Sequence, residues 1–291
     1  MAFRIGMCLV GAALALAGLC GQARAAGPNP EAARLVKVLA GLDAAAENEA
    51  SQKLVALGEA AVPALAQLAG APGPLAPRLL AVERLGDIRT PAALDALVAT
   101  LKAEKDPAVR GQICMQLGTA RHKAAVSVIA DGLRAMAAGS LADVHGPKEV
   151  QASTVFIRHV EALEMICDGA AIPILEELAP QVPKIAPEGF LRNFVAEAVK
   201  QAIQNLREDA AFWNQVRRHT GLEEKLGPLF AHLRASPLAR LRIWEDEIVR
   251  HTAEGRRVLQ RLAPHADPKV AAGAKALLEV QWSGAAGEVK P

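Results

Sequence analysis

The chain has 291 residues, 33 basic and 31 acidic, and this near-even balance excludes the strongly basic face that phosphate-driven nucleic-acid binding requires. Hydrophobic residues make up 52%, yet only 3% of the chain is aromatic and tyrosine is absent. Much of the apolar content is alanine, the best helix former, whereas strands draw on aromatic and β-branched side chains, so a strand-built protein is excluded as well.

The first element in chain order is a targeting segment. Arg4 precedes an apolar run from Ile5 to Leu19, and Ala23-Arg24-Ala25 forms a small-x-small cleavage pattern. Residues 1–25 are expected to be a signal peptide cut before Ala26, because the run is short for a membrane span. Cys20 follows Leu19 rather than a small residue, which argues against a lipid-modified cysteine. Loss of Arg4 and Arg24 leaves 31 basic residues against 31 acidic ones. The expectation is therefore an exported chain, periplasmic or secreted, with no stable membrane span and no nucleic-acid partner.

Internal repetition follows. Residues 60–69 (AAVPALAQLA), 92–101 (AALDALVATL), 124–133 (AAVSVIADGL) and 170–179 (AAIPILEELA) align without gaps, at offsets of 32, 32 and 46. Leu94, Leu97, Val98 and Leu101 occupy one helical face at i, i+3, i+4 and i+7. A second helix precedes each segment, with Leu57-Gly58, Leu85-Gly86, Leu117-Gly118 and Asp168-Gly169 as expected stops, since glycine takes the left-handed conformation freely. Asp106 is the expected N-cap of the third such helix and Pro107 its first residue, with Val109, Ile113 and Leu117 facing inward. Neither helix of such a pair can bury its apolar face alone, so the copies must stack.

The order Asp-Pro-x-Val-Arg, Leu-Gly, Ala-Ala-Val-x-x-Leu-x-x-x-Leu resembles HEAT repeats, in particular the short bacterial variety also found in phycobilin-lyase-type proteins. The resemblance covers about residues 50–180 and implies an all-α fold, an α-α superhelix or HEAT-repeat solenoid spanning residues 31–180. It is specific for architecture and nearly silent on function, because adaptors, scaffolds and some lyases share the repeat.

The third offset holds 14 extra residues, around Gly139 to Ser153, where Gly146-Pro147 marks a loop and Asp143 and His145 are candidate partner contacts. Pro180, Pro183 and Pro187 then interrupt the chain, and Phe190 to Leu206 reads as one long amphipathic helix. Arg218-His219-Thr220 and Arg250-His251-Thr252 recur 32 residues apart, and Asp267-Pro268-Lys269-Val270 repeats the Asp-Pro helix start. Residues 187–282 are read as degenerate repeats that cap the array, with a separate helical domain as the alternative, and residues 283–291 as a disordered tail.

The chemistry-bearing residues are sparse. No nucleophile elbow, phosphate loop or His-Glu-x-x-His pattern occurs. The histidines are dispersed, with His159 expected at the surface or partly buried. Hence no catalytic residue, metal or cofactor is expected. Cys114 and Cys167, the cysteines left after cleavage, sit in apolar helical stretches, either as buried small hydrophobes or as a disulfide between repeats. Seven of nine aromatics lie beyond residue 189 (Phe190, Phe194, Phe212, Trp213, Phe230, Trp244 and Trp282) and are read mainly as core. Residues 217–265 carry ten basic and six acidic side chains. Arg217, Arg218, Arg240, Arg242 and Arg250 are its candidate contacts, because arginine forks onto carboxylates. The expected function is a non-catalytic scaffold or adaptor holding an exported protein or peptide; a bilin-lyase-type enzyme and a purely structural envelope spacer are the alternatives.

Overall fold

The computed structural model describes residues 29–41, 44–139, 148–186, 189–235, 247–249 and 251–280. Among these residues the protein is all-helical, with no strand. The elements are α1 (Pro30–Ala40), α2 (Ala44–Leu57), α3 (Val62–Gly70), α4 (Leu75–Ile88), α5 (Pro91–Ala103), α6 (Pro107–Thr119), α7 (Val126–Ala137), α8 (Lys148–Ile166), α9 (Ala171–Leu178), α10 (Val182–Ile185), α11 (Phe190–Arg218), α12 (Leu222–Ala235), α13 (Ala253–Leu262) and α14 (Pro268–Glu279). Short 3₁₀ turns at Gly58–Ala61, Lys123–Ala125 and Ala179–Gln181 lead into α3, α7 and α10.

Packing follows the repeat. α2 touches α4, α4 touches α6, α6 touches α8 and α8 touches α11. In the other rank α1 touches α3, α3 touches α5, α5 touches α7 and α7 touches α9. From α1 to α9 each helix thus packs against the helix two places along. Val109, Ile113 and Leu117 of α6 are fully buried, as are Leu97 and Leu101 of α5. Val98 is half-buried against them.

The helix starts agree with their sequence signals. Asp106 Oδ1 accepts from the amides of Ala108 (2.9 Å) and Val109 (3.3 Å), with Pro107 at the first helical position. Asp267 caps α14 in the same way through Lys269 N–H at 2.8 Å. Each side chain satisfies amide donors that the helix itself cannot reach.

The helix ends differ from expectation. Of the four glycines expected as stops, only Gly58 is left-handed just past its helix, at φ 56°. Gly86 and Gly118 lie inside α4 and α6, which run on to Ile88 and Thr119. The left-handed non-glycine residues that follow α4, α6 and α8 are Arg89 (φ 54°), Arg121 (φ 51°) and Cys167 (φ 54°), themselves spaced by 32 and 46; His251 (φ 53°) is a further one among the described residues. Glycine at 118 serves close approach instead: a Cβ there would stand 2.9 Å from Ala162 Cα, on the facing helix α8. The insertion is also shorter as a loop than expected, because Lys148 to Ser153 belong to α8.

α11 is longer than its expected range and joins two separate cores. Val195, Val199, Ala202 and Leu206 complete the core that begins at Ala32. Phe212 and Val216, further along the same helix, belong to a second core with Leu226, Leu229, Phe230, Val258 and Leu277.

Candidate functional site

Two polar features lie on this frame, one buried and structural, the other open. The buried one is a repeated arginine clamp. Arg78 and Arg110 sit 32 residues apart at matching positions in α4 and α6. Arg78 Nε donates to Ala69 O at 3.1 Å, and Arg110 Nη1 donates to Leu101 O at 3.0 Å and Glu104 O at 2.9 Å. Ala69 and Leu101 are also 32 residues apart, so each arginine serves carbonyls near the end of the preceding helix, which have no helical partner of their own. The Glu104 carboxylate closes the first clamp by pairing with Arg78 Nη2, and both side chains are buried. Position 156, where the next arginine would fall, holds the buried Phe156.

His159 contradicts the expectation of a surface or partly buried position: it is fully buried on α8. Its Nδ1 is 2.8 Å from Val155 O and so carries the proton, while Nε2 has no partner. A Cβ on Gly132 would stand 2.9 Å from that Nε2 and 2.5 Å from Arg110 Nη2, so glycine in α7 admits both groups. Burial, reinforced by the Arg110 guanidinium and opposed only by the Val155 carbonyl, pushes the imidazole pKa down to about 4. The ring therefore stays neutral near pH 7. One turn along α6 from Arg110, burial pushes the Cys114 thiol up to about 12, which makes it inert as a nucleophile.

The open feature is a cleft of about 420 Å³ where the two cores adjoin. One wall is the turn before α7 (Arg121, Lys123), the end of α8 (Ile166) and the turn before α9 (Cys167, Asp168, Gly169); the other is α11 (Ala210, Trp213, Arg217) and Glu223 at the start of α12. Trp213 is half-buried and braced, edge-on to Phe212 at 5.2 Å and tilted on Phe230 at 5.4 Å. Arg217 is exposed and donates to Asn214 Oδ1 at 3.0 Å. Three cations and two carboxylates thus share a space with one rigid aromatic face.

Of the candidate contacts and cysteines singled out from sequence, the cleft brings together Arg217 and Cys167. Arg218 is exposed in the last turn of α11. Arg240, Arg242, Arg250, Asp143 and His145 lie outside the described residues, as do Trp244 and Trp282. The disulfide weighed for Cys114 and Cys167 is not formed. Cys114 is a thiol inside α6, and Cys167 turns its Sγ to the Glu164 carbonyl, 3.1 Å away, at the end of α8. The reading of the aromatics as core holds for Phe212 and Phe230 and fails for Phe190 and Phe194, which are 79% and 51% exposed and stacked at 5.9 Å.

Sequence reasoning missed Arg121, Lys123 and Trp213 as one site, since they are about 90 residues apart in the chain and meet only through packing. It also missed the clamp, whose signal was available: an arginine recurring at the repeat spacing on an otherwise inward face. Among the described residues no three His, Cys, Asp or Glu side chains converge as a metal site would need, and no helix is long and apolar enough to cross a membrane. Compared with known proteins, the chain matches no family model, no curated protein and no solved structure.

Proposed function

We propose that this protein is a non-catalytic scaffold of the HEAT-repeat type, a superhelical solenoid that is exported and holds a segment of a protein or peptide partner. The observation that carries the reading is the cleft between the two cores, where a braced Trp213 faces Arg121, Lys123 and Arg217. Aromatic and arginine side chains dominate binding energy, because one buries large rigid area and the other offers a fixed fork of donors. The layered packing of α1 to α9 supports the solenoid, since each helix hairpin contributes a face to the next. Residues 1–25, with their positive start, apolar run and Ala23-Arg24-Ala25, support export.

The test is site-specific photocrosslinking in the intact cell. A benzoylphenylalanine at Ala210, inside the cleft, is expected to capture a discrete exported protein, whereas the same probe at the exposed Lys37 of α1 is not. Identical adducts from both positions, or none from Ala210 together with substrate turnover by the purified chain, would defeat the proposal.

A further inference from the structure

We infer that the cleft takes an acidic stretch of its partner, a peptide segment with a carboxylate side chain next to an apolar one. The inference rests on the scaffold reading and adds the ligand's chemistry to it.

Charge is the first argument. Arg121, Lys123 and Arg217 line the cleft against Asp168 and Glu223. Asp168 is already engaged, its Oδ1 accepting the Ala170 amide at 3.0 Å in the turn that opens α9. Glu223 sits in the first turn of α12, where the partial positive charge of a helix start offsets a carboxylate. Lys123 has no such compensation. It stands in the 3₁₀ turn that opens α7, the end of a helix where a cation is disfavoured, and its ammonium has no hydrogen bond or ion pair among the described residues. Lys123 is exposed, so its ammonium is open to an incoming anion at the edge of the cleft.

Backbone placement points the same way. The turns leading into α7 and α9, and the first turn of α12, all contribute to this one cleft. The first amides of these turns are held by the turns themselves, among them Ala170 N–H on Asp168 Oδ1, but the helix starts still carry partial positive charge, so three of them around one space favour negative charge. The lining favours a peptide over a free inorganic anion. Trp213, Ala210 and Ile166 give the cleft an apolar wall beside the cations, and a phosphate ion alone would leave that wall wet.

The experiment is selection of random short peptides on the full chain, in parallel with the chain carrying Lys123→Glu and Arg217→Glu. Both positions are exposed, so helical circular dichroism is expected to be the same in the two chains. The expected result is enrichment of Asp or Glu adjacent to an aliphatic or aromatic residue on the wild-type chain. Binding of the selected peptides should fall by about tenfold or more on the reversed chain, a factor typical of losing one charge-assisted contact. A Lys123→Met, Arg217→Met chain should show an intermediate loss, which separates removed attraction from added repulsion. Basic or neutral peptides, or the same peptides with the same affinity on both chains, would overturn the inference. So would displacement of the selected peptides by inorganic phosphate as effectively as by free acidic peptide. If Ala210 captures a partner that binds the reversed chain equally well, the acidic-ligand inference falls while the scaffold reading stands. If Ala210 captures nothing and no peptide is enriched, both fall.

Discussion

Acidification should loosen this protein through His159. In the folded chain the ring is fully buried, donates from Nδ1 to Val155 O, and leaves Nε2 unpartnered near the Arg110 guanidinium. Protonation would place an imidazolium in the interior against a cation, which is why the folded pKa drops from the ordinary 6.5 to about 4. As pH falls below the unfolded value, the unfolded chain gains a proton that the folded chain refuses, so stability declines, and the decline levels off near the folded value. At about 1.4 kcal/mol per unit of separation, the full effect is about 3 kcal/mol, of which about 2 kcal/mol falls between pH 6.5 and 5, above the range of ordinary carboxylates. The assay is urea denaturation followed by far-UV circular dichroism at steps of pH, on the wild type and on His159→Asn, whose side-chain amide can still donate to Val155 O. The variant should be less stable at neutral pH because of lost volume, yet flatter than wild type across that window. Parallel pH dependence in the two proteins would refute the reasoning, since the other histidines are common to both.

Other substitutions probe the frame around the site. Arg78→Met removes the cation from the buried Glu104 carboxylate and should destabilise by about 3–5 kcal/mol, whereas Arg78→Met with Glu104→Met should recover only part of that loss, because Glu104 Oε1 also accepts the Lys105 and Asp106 amides; both are read from urea midpoints. Gly118→Ala forces a Cβ to 2.9 Å from Ala162 Cα and should cost about 1–3 kcal/mol, measured by thermal melting. Arg89→Gly removes the strain of a left-handed arginine past α4 and should raise stability by up to about 1 kcal/mol, with the opposite sign to most glycine substitutions.

Much of the architecture is legible in the sequence because it is local. The alanine-rich copies at offsets of 32, 32 and 46 place the helices of the array, and Asp106-Pro107 and Asp267-Pro268 mark two starts to the residue. What sequence reading misses depends on neighbours distant in the chain. Gly118 reads as a helix stop, but its role is set by Ala162 on the facing helix. The true stops, Arg89, Arg121 and Cys167, are residue types that carry no turn preference, so only their repeat spacing betrays them. His159 lies one helical turn from Phe156 and Leu163 on the inward face of α8, a pattern that does signal burial; its polarity argues the other way. Phe190 and Phe194 fail in reverse, being aromatic and yet exposed. For the cleft, Arg217 stands out through the local run of arginines, whereas its companions Arg121, Lys123 and Trp213 become neighbours only when α11 carries the second core against the turns of the first.

Hydrogen exchange on the full chain, with and without the partner captured through Ala210, tests the central claim most directly. Slowed exchange is predicted in the segments that line the cleft, 121–123, 166–169 and 210–223, with α1 to α3 unchanged. Protection confined instead to the separate groove lined by Val182, Val199, Ile203 and Arg207, or none above the level of the free chain, would contradict it.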